Sequence, residues 1–173
     1  IIDKETWNAV QEEFNRRADF MEKHGLNHYS YGIEYNPFSA RIYCAKCGNV
    51  YTKHSWKSRG IVQWQCKNHR TRGKITCTNA FVNNEDLEKA FIKLMNIIIE
   101  EKDMSDKKWE KMINEGTPLE KIRAEQMKEI AKSGSIQKFI PEMAQLVIQE
   151  VIILEAKKYE FSLMDGRQVK IEI

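Results

Sequence analysis

The chain has 173 residues, 42% of them hydrophobic and 31% charged, which is room and apolar content for one domain or two small ones. No apolar run reaches the roughly eighteen residues a membrane-spanning helix needs, so no membrane partner is expected; the opening Ile1-Ile-Asp-Lys-Glu-Thr-Trp7 also lacks the basic and apolar regions of a signal peptide. The net charge of +3 conceals an asymmetry: Tyr35 through Asn84 holds nine Lys and Arg and no acidic residue, leaving 19 basic residues against 25 acidic elsewhere.

Thr6 to Arg17 reads as an amphipathic helix. Trp7, Val10 and Phe14 recur at steps of three and four, and Asp3 stands where an N-cap belongs. Ile1 is not an initiator Met, and the start reads as a cut in a longer chain. Residues 18–40 carry loop signals at Gly25, Asn27, Gly32, Asn36, Pro37 and Ser39. Within them Tyr29, Tyr31 and Tyr35 fall on odd positions, as in a short strand or an extended linker.

Short strands are expected at Ala40–Cys44, Val50–His54, Ile61–Cys66 and Ala80–Val82, punctuated by Gly48, Gly60 and Gly73. Asn83 or Asn84 then caps a helix whose stripe is Leu87, Phe91, Leu94, Met95 and Ile98. A charged stretch over 102–117, anchored by Trp109 and Met112, ends at Gly116-Thr117-Pro118. Further helices are predicted from Leu119 to Lys132 and from about Phe139 to Gln149, with Ser133-Gly134-Ser135 between them. The end reads as a hairpin: Tyr159, Phe161 and Leu163 alternate before Asp165-Gly166, and Val169, Ile171 and Ile173 after it, which favours a type I′ turn.

The pattern that carries chemistry is Cys44-x2-Cys47, eighteen residues, then Cys66-x10-Cys77, with no other cysteine in the chain. A CxxC knuckle sets two sulfurs on one side of a tight turn, and Gly48 lets the backbone leave it sharply. Four thiolates close a tetrahedral zinc shell; a strand-and-glycine setting among cations fits structural zinc better than iron or a redox pair. Paired disulfides would suit a small secreted framework, which this composition and start do not resemble. His69, three residues after Cys66, could replace a cysteine as ligand, although four sulfurs already complete the shell.

The wide spacing of the second pair implies an excursion, and it opens with the most basic run of the chain, Lys67-Asn68-His69-Arg70-Thr71-Arg72-Gly73-Lys74. Tyr43, Tyr51, Trp56, Gln63, Trp64 and Gln65 interleave aromatics and amides with the cations. Cations without acids, mixed with such side chains, point to a polyanion, a nucleic acid. The residues expected to face it are Lys53, Lys57, Arg59, Lys67, Arg70, Arg72 and Lys74. Trp64 reads instead as the small core of the ribbon. The alternative is a protein–protein adaptor whose basic face meets an acidic partner. No nucleophile with a base and an orienting acid, no phosphate loop and no HExxH occurs, so no catalytic residue is assigned to this chain.

Phe38-Ser-Ala-Arg-Ile-Tyr-Cys44-Ala-Lys-Cys47-Gly48, Trp64-Gln-Cys66 and Cys77-Thr-Asn79 together resemble the zinc ribbon of the large serine recombinases, the phage integrases and transposon recombinases of Gram-positive bacteria. The stretch from Ile1 to Arg17 is similar to the last helix of their recombinase domain, and Phe161-Ser-Leu-Met-Asp165-Gly166 to their terminal strands. The resemblance implies a C-terminal, DNA-binding fragment of a parent recombinase whose catalytic serine lies in a preceding domain. It further implies a bacterial cytoplasmic, nucleoid-associated protein that binds one attachment half-site and meets other copies of the recombinase during synapsis. In that family a coiled-coil arm often projects from the zinc domain. Here Gly116, Pro118, Gly134 and Pro141 interrupt residues 84–150 and no heptad repeat is sustained, so a shortened helical arm or compact helical packing is expected.

The expected fold is therefore α+β: a small zinc β-ribbon with flanking helices and a C-terminal β-hairpin. Its divisions are residues 1–36, the end of a recombinase domain and a linker; 37–83, the ribbon; 84–150, the helical segment; and 151–173, a hairpin packing with the zinc domain.

Overall fold

Helix α1 (Lys4–His24) starts at Asp3, whose carboxylate accepts the Thr6 backbone N–H at 2.8 Å, and stops at Gly25 in the left-handed region. The computed structural model describes residues 2–26 and 36–173, and the run of Tyr29, Tyr31 and Tyr35 lies outside them. Strand β1 (Ile42–Cys44) leads into the first cysteine knuckle. Strands β2 (Tyr51–Trp56) and β3 (Ile61–Cys66) then form an antiparallel hairpin around a 3₁₀ turn at Lys57–Arg59. A smaller hairpin follows, β4 (Arg70–Thr71) with β5 (Lys74–Ile75), and β6 (Val82–Asn83) pairs back onto β3.

Three longer helices come next: α2 (Asn84–Glu100), α3 (Lys102–Glu115) and α4 (Pro118–Lys132). A capping box between Thr117 and Glu120, with Pro118 at the first helical position, starts α4. The short α5 (Pro141–Val147) also begins on a proline. The chain then gives β7 (Ile148–Glu155), β8 (Lys158–Leu163) and β9 (Gln168–Glu172). The fold is mixed α+β, as the sequence implies.

Several elements differ from expectation. Helix α1 runs past Arg17 through residues 18–24, and the loop signals of 18–40 begin only at Gly25. The helix predicted to Gln149 ends at Val147, and Ile148–Glu155 is a strand at the centre of the sheet β1-β7-β8-β9, parallel to β1 and antiparallel to β8. Its apolar run reads equally as buried helix or buried strand until its neighbours are known. The terminal turn is not type I′ either. Only Gly166 has positive φ there; Gly166 N–H reaches Leu163 O at 2.9 Å and Leu163 N–H reaches Arg167 O at 2.8 Å. That is a three-residue loop closed by a glycine bulge.

The chain divides into two compact units. One comprises Ile1–Tyr29 and Asn96–Ile136 and contains α1, α3 and α4. Trp109, Ala124, Met127 and Ala131 are buried in it. Glu13 of α1 receives three arginines: Arg16 at 2.8 Å, Arg17 at 2.6 Å and Arg123 of α4 at 2.7 Å. Burial opposes charge on Glu13, but these cations outweigh it and hold its carboxyl down to about 2. The expected stripe of Trp7, Val10 and Phe14 is not core. Trp7 is 55% and Phe14 59% exposed, and Val10 and Phe14 line an apolar groove of about 250 Å³ with Leu119 and Ile122.

The other unit comprises Ser30–Met95 and Gln137–Ile173. Its core is Phe38, Ile42, Leu87, Phe91 and Leu94 with the inward residues of the C-terminal sheet, Val151, Ile153, Tyr159, Phe161, Leu163 and Ile171. Phe139 packs between Phe38 and Phe91, with ring centroids 5.5 Å from each. Trp64 is 1% exposed, and its indole N–H donates to Asn84 Oδ1 at 3.1 Å. This bond also ties β3 to the start of α2.

Candidate metal centre and its basic finger

The four cysteines arrive from three directions. Cys44 ends β1, where Ala45 N–H donates to Ile153 O at 3.1 Å, so the sheet fixes the start of the knuckle. Gly48, with φ of +70°, turns the chain so that its N–H reaches Cys44 O at 2.8 Å and brings Cys47 alongside. Cys66 ends β3, directly opposite Tyr51 in the ladder. Cys77 returns after the smaller hairpin.

All four sulfurs lie within 4.8 Å of one another. Cys44 and Cys77 are 3.6 Å apart, and Cys47 and Cys66 are 3.4 Å apart. A disulfide would need about 2.05 Å. A tetrahedral ion with sulfur arms of about 2.3 Å sets edges of about 3.8 Å, so the cluster fits a thiolate-bound metal. Cys44, Cys66 and Cys77 are buried and Cys47 is exposed.

The thiols are not equivalent. Burial opposes ionisation of Cys44, but the Asn79 amide and the backbone N–H groups of Cys47 and Lys46 overcome it and lower the thiol to about 7. Burial pushes the Cys66 thiol up, helped by its contact with Cys47. Cys77 receives the Asn79 backbone N–H, yet burial and the neighbouring sulfurs leave it raised. Four thiolates therefore require a cation among them, which is what a bound metal supplies.

Asn79 was not singled out as a site residue by sequence reasoning. It is buried; its Nδ2 donates to Cys44 Sγ at 3.2 Å and to Ile153 O at 2.9 Å. The sequence signal was its position two residues after the last cysteine. His69 has a different role from ligation. Its Nδ1 donates to Cys77 O at 3.0 Å and its ring packs against Phe81 at 4.8 Å, so it braces the excursion while the four sulfurs gather without it.

The excursion between Cys66 and Cys77 is a hairpin finger. Arg72 and Gly73 both have positive φ, 49° and 81°, and join Thr71 to Lys74 across a two-residue turn. This is the type I′ geometry expected at the C-terminus and found here instead. Lys67, Arg70, Arg72 and Lys74 are all exposed on it. Lys53 is exposed on β2 and Arg59 in the turn at the other end of the ribbon, where Lys57 also lies. The predicted DNA-facing residues thus spread along the ribbon: the finger cations at one end, Lys57 and Arg59 at the other, and Lys53, opposite Trp64, between them; β3 spans roughly 17 Å at 3.4 Å per residue.

Arg41, one of the nine cations of the acid-free stretch, is buried and donates to Ile148 O at 2.8 Å and Gln145 O at 3.3 Å. It belongs to the core. Trp56, 46% exposed, stands with Arg59, Ile61, Gln63 and Asn83 around a hollow of about 300 Å³.

Residues 37–96 match the family model described as the recombinase zinc beta ribbon domain. Neither the curated proteins nor the solved structures contain a match to the chain. No helix among the described residues is long and apolar enough to cross a membrane.

Proposed function

We propose that this chain, which carries a recombinase zinc ribbon over residues 37–96, is the DNA-binding part of a serine site-specific recombinase and recognises one attachment half-site in double-stranded DNA. Zinc, held by Cys44, Cys47, Cys66 and Cys77, is structural. A four-sulfur shell leaves no open position for substrate, so the ion shapes the ribbon and does no chemistry. The observation that carries the reading is the metal-anchored finger with Lys67, Arg70, Arg72 and Lys74 exposed and no acidic residue between Tyr35 and Asn84. Lys53, Lys57 and Arg59 form the second contact to the same duplex.

The divisions follow from that reading. Residues 1–36 are the end of a recombinase domain and a linker, and the uncovered Trp7, Val10 and Phe14 of α1 support docking onto such a domain. Residues 84–150 include a shortened arm, the stretch Asn96–Ile136 outside the ribbon unit, which meets other copies of the recombinase during synapsis. Residues 151–173 pack with the zinc domain, consistent with β1 pairing β7 at Cys44↔Ile153. The protein acts in the bacterial cytoplasm, at the nucleoid.

The test is duplex binding at several salt concentrations. Phosphate contacts release counterions, so affinity falls as salt rises. Lys74→Ala weakens all duplexes equally and lowers the salt slope by about one. Affinity indifferent to salt would sink the reading. A zinc-ribbon adaptor for a protein partner would then take its place, with exposed Trp56 and Ile61 beside Arg59 as the docking surface.

A further inference from the structure

Arg70, Arg72, Lys74 and Ile75 of the finger are exposed, and a lone two-stranded hairpin is marginal in water. Its base is secured instead. Both ends are metal-centre cysteines, His69 N–H donates to Cys66 O at 2.8 Å and Thr76 N–H to His69 O at 3.0 Å. The Thr76 hydroxyl donates to Asn68 O, and the His69 ring to Cys77 O. The hairpin is tied at its base while Arg70, Lys74 and Ile75 stand in solvent.

On this finger Ile75 is 58% exposed. It lies directly opposite Arg70 in the ladder, so the two side chains share one face, with Cβ atoms on the order of 5 Å apart. A branched apolar side chain held in water beside a guanidinium, on a strand fixed at its root, fits a surface that offers hydrogen-bond acceptors next to an isolated methyl group. The major groove of DNA has that chemistry: guanine presents O6 and N7, and thymine its C5 methyl. Its width of about 12 Å admits a two-stranded ribbon, and the minor groove, about 6 Å wide, presents neither the guanine O6 and N7 nor the thymine methyl.

Resting on the proposed DNA-binding function, we infer that Arg70 and Ile75 form a base-reading face, Arg70 spanning a guanine and Ile75 covering a thymine methyl on a neighbouring base pair in the major groove. Lys67 and Lys74 meet phosphates and position the finger without reading sequence.

The experiment selects duplexes with the full, zinc-loaded chain from a pool carrying a randomised 20-base-pair stretch, then rebuilds the enriched duplex with uracil at each thymine in turn. At one position beside a selected guanine, losing the methyl weakens wild-type binding about fourfold, the transfer of one methyl group from water. Ile75→Ala binds the thymine and uracil duplexes equally, and Arg70→Gln no longer selects the guanine. Because the uracil comparison uses the wild-type chain, it does not depend on how any variant folds. If uracil is tolerated at every position of an enriched duplex, the base-reading face is wrong while DNA binding stands. If no duplex is enriched and binding ignores salt, the proposed function falls, and this inference with it.

Discussion

Asn79 joins the metal centre to the C-terminal sheet: one side-chain nitrogen lies 3.2 Å from Cys44 Sγ and 2.9 Å from the Ile153 carbonyl. The same amide stabilises the Cys44 thiolate and fixes the knuckle on β7. Groups of this kind, one shell out from the ligands, commonly govern metal affinity by 10–100-fold. Asn79→Ala should weaken zinc binding by about that factor in a competition with a chromophoric chelator. Retention of wild-type affinity would show that the contact is incidental.

Elemental analysis of the purified chain should give close to one zinc. Substantial iron, or two disulfides in place of four metal-bound thiolates, would contradict the site. Uptake of the ion displaces protons, because burial raises the Cys66 thiol and, against the Asn79 backbone N–H, leaves Cys77 raised as well. Affinity should therefore fall as pH falls, with protons released on binding at neutral pH. Cys66→Ser should unfold the ribbon, since metal binding in such small elements is folding free energy of on the order of 10 kcal/mol. Loss of the β2–β3 amide protection in that variant is the readout.

Arg72 sits in the left-handed region at φ 49°, where a side chain such as arginine costs about 1 kcal/mol and asparagine much less. An exposed cation at a position that asparagine would fill with less strain fits a role in binding. Arg72→Asn should slow hydrogen exchange in the finger and at the same time lower duplex affinity. An exchange rate and an affinity that are both unchanged would remove the basis for assigning Arg72 a function.

Glu13 links α1 to α4 through Arg123, and its carboxyl, held down to about 2, ties acid stability to this cluster. A lowered carboxyl contributes stability that is complete above the ordinary value of about 4.5 and is lost as pH falls toward 2. The group is partly solvated, so screening reduces its worth to about 1–2 kcal/mol. Glu13→Gln should destabilise the helical unit by that amount at pH 7, measured by denaturant unfolding followed by helix circular dichroism. The gap between wild type and variant should narrow at pH 3; a constant gap would mean that the charge is not its source.

Incubated with supercoiled plasmid carrying its attachment site, the chain alone should neither cut nor join DNA, because no nucleophile constellation occurs in it. Reproducible nicking that survives purification would contradict this.

The clustering of the four cysteines was legible from the chain because metal ligation depends on residue type and short-range spacing. Cys44-x2-Cys47 with Gly48 encodes a knuckle whatever surrounds it, and four thiols with none spare leave few arrangements. The alternation at Tyr159, Phe161 and Leu163 and the stripe on α2 were legible for the same reason, since one buried face imposes a local period. Ile148–Glu155 was not legible as a strand. Its apolar run is compatible with either period, and pairing decides it, with β8 along its length and with Ile42–Cys44, over a hundred residues earlier, at Val151–Ile153. The same pairing makes Arg41 a core residue and Asn79 a metal-centre residue, roles set by the carbonyls of Ile148 and Ile153. The finger shows the division most directly. Its cations could be counted in the sequence, but which of them share a face with Ile75 follows only from the register Arg70↔Ile75, and that register depends on the backbone at Arg72 and Gly73 adopting positive φ.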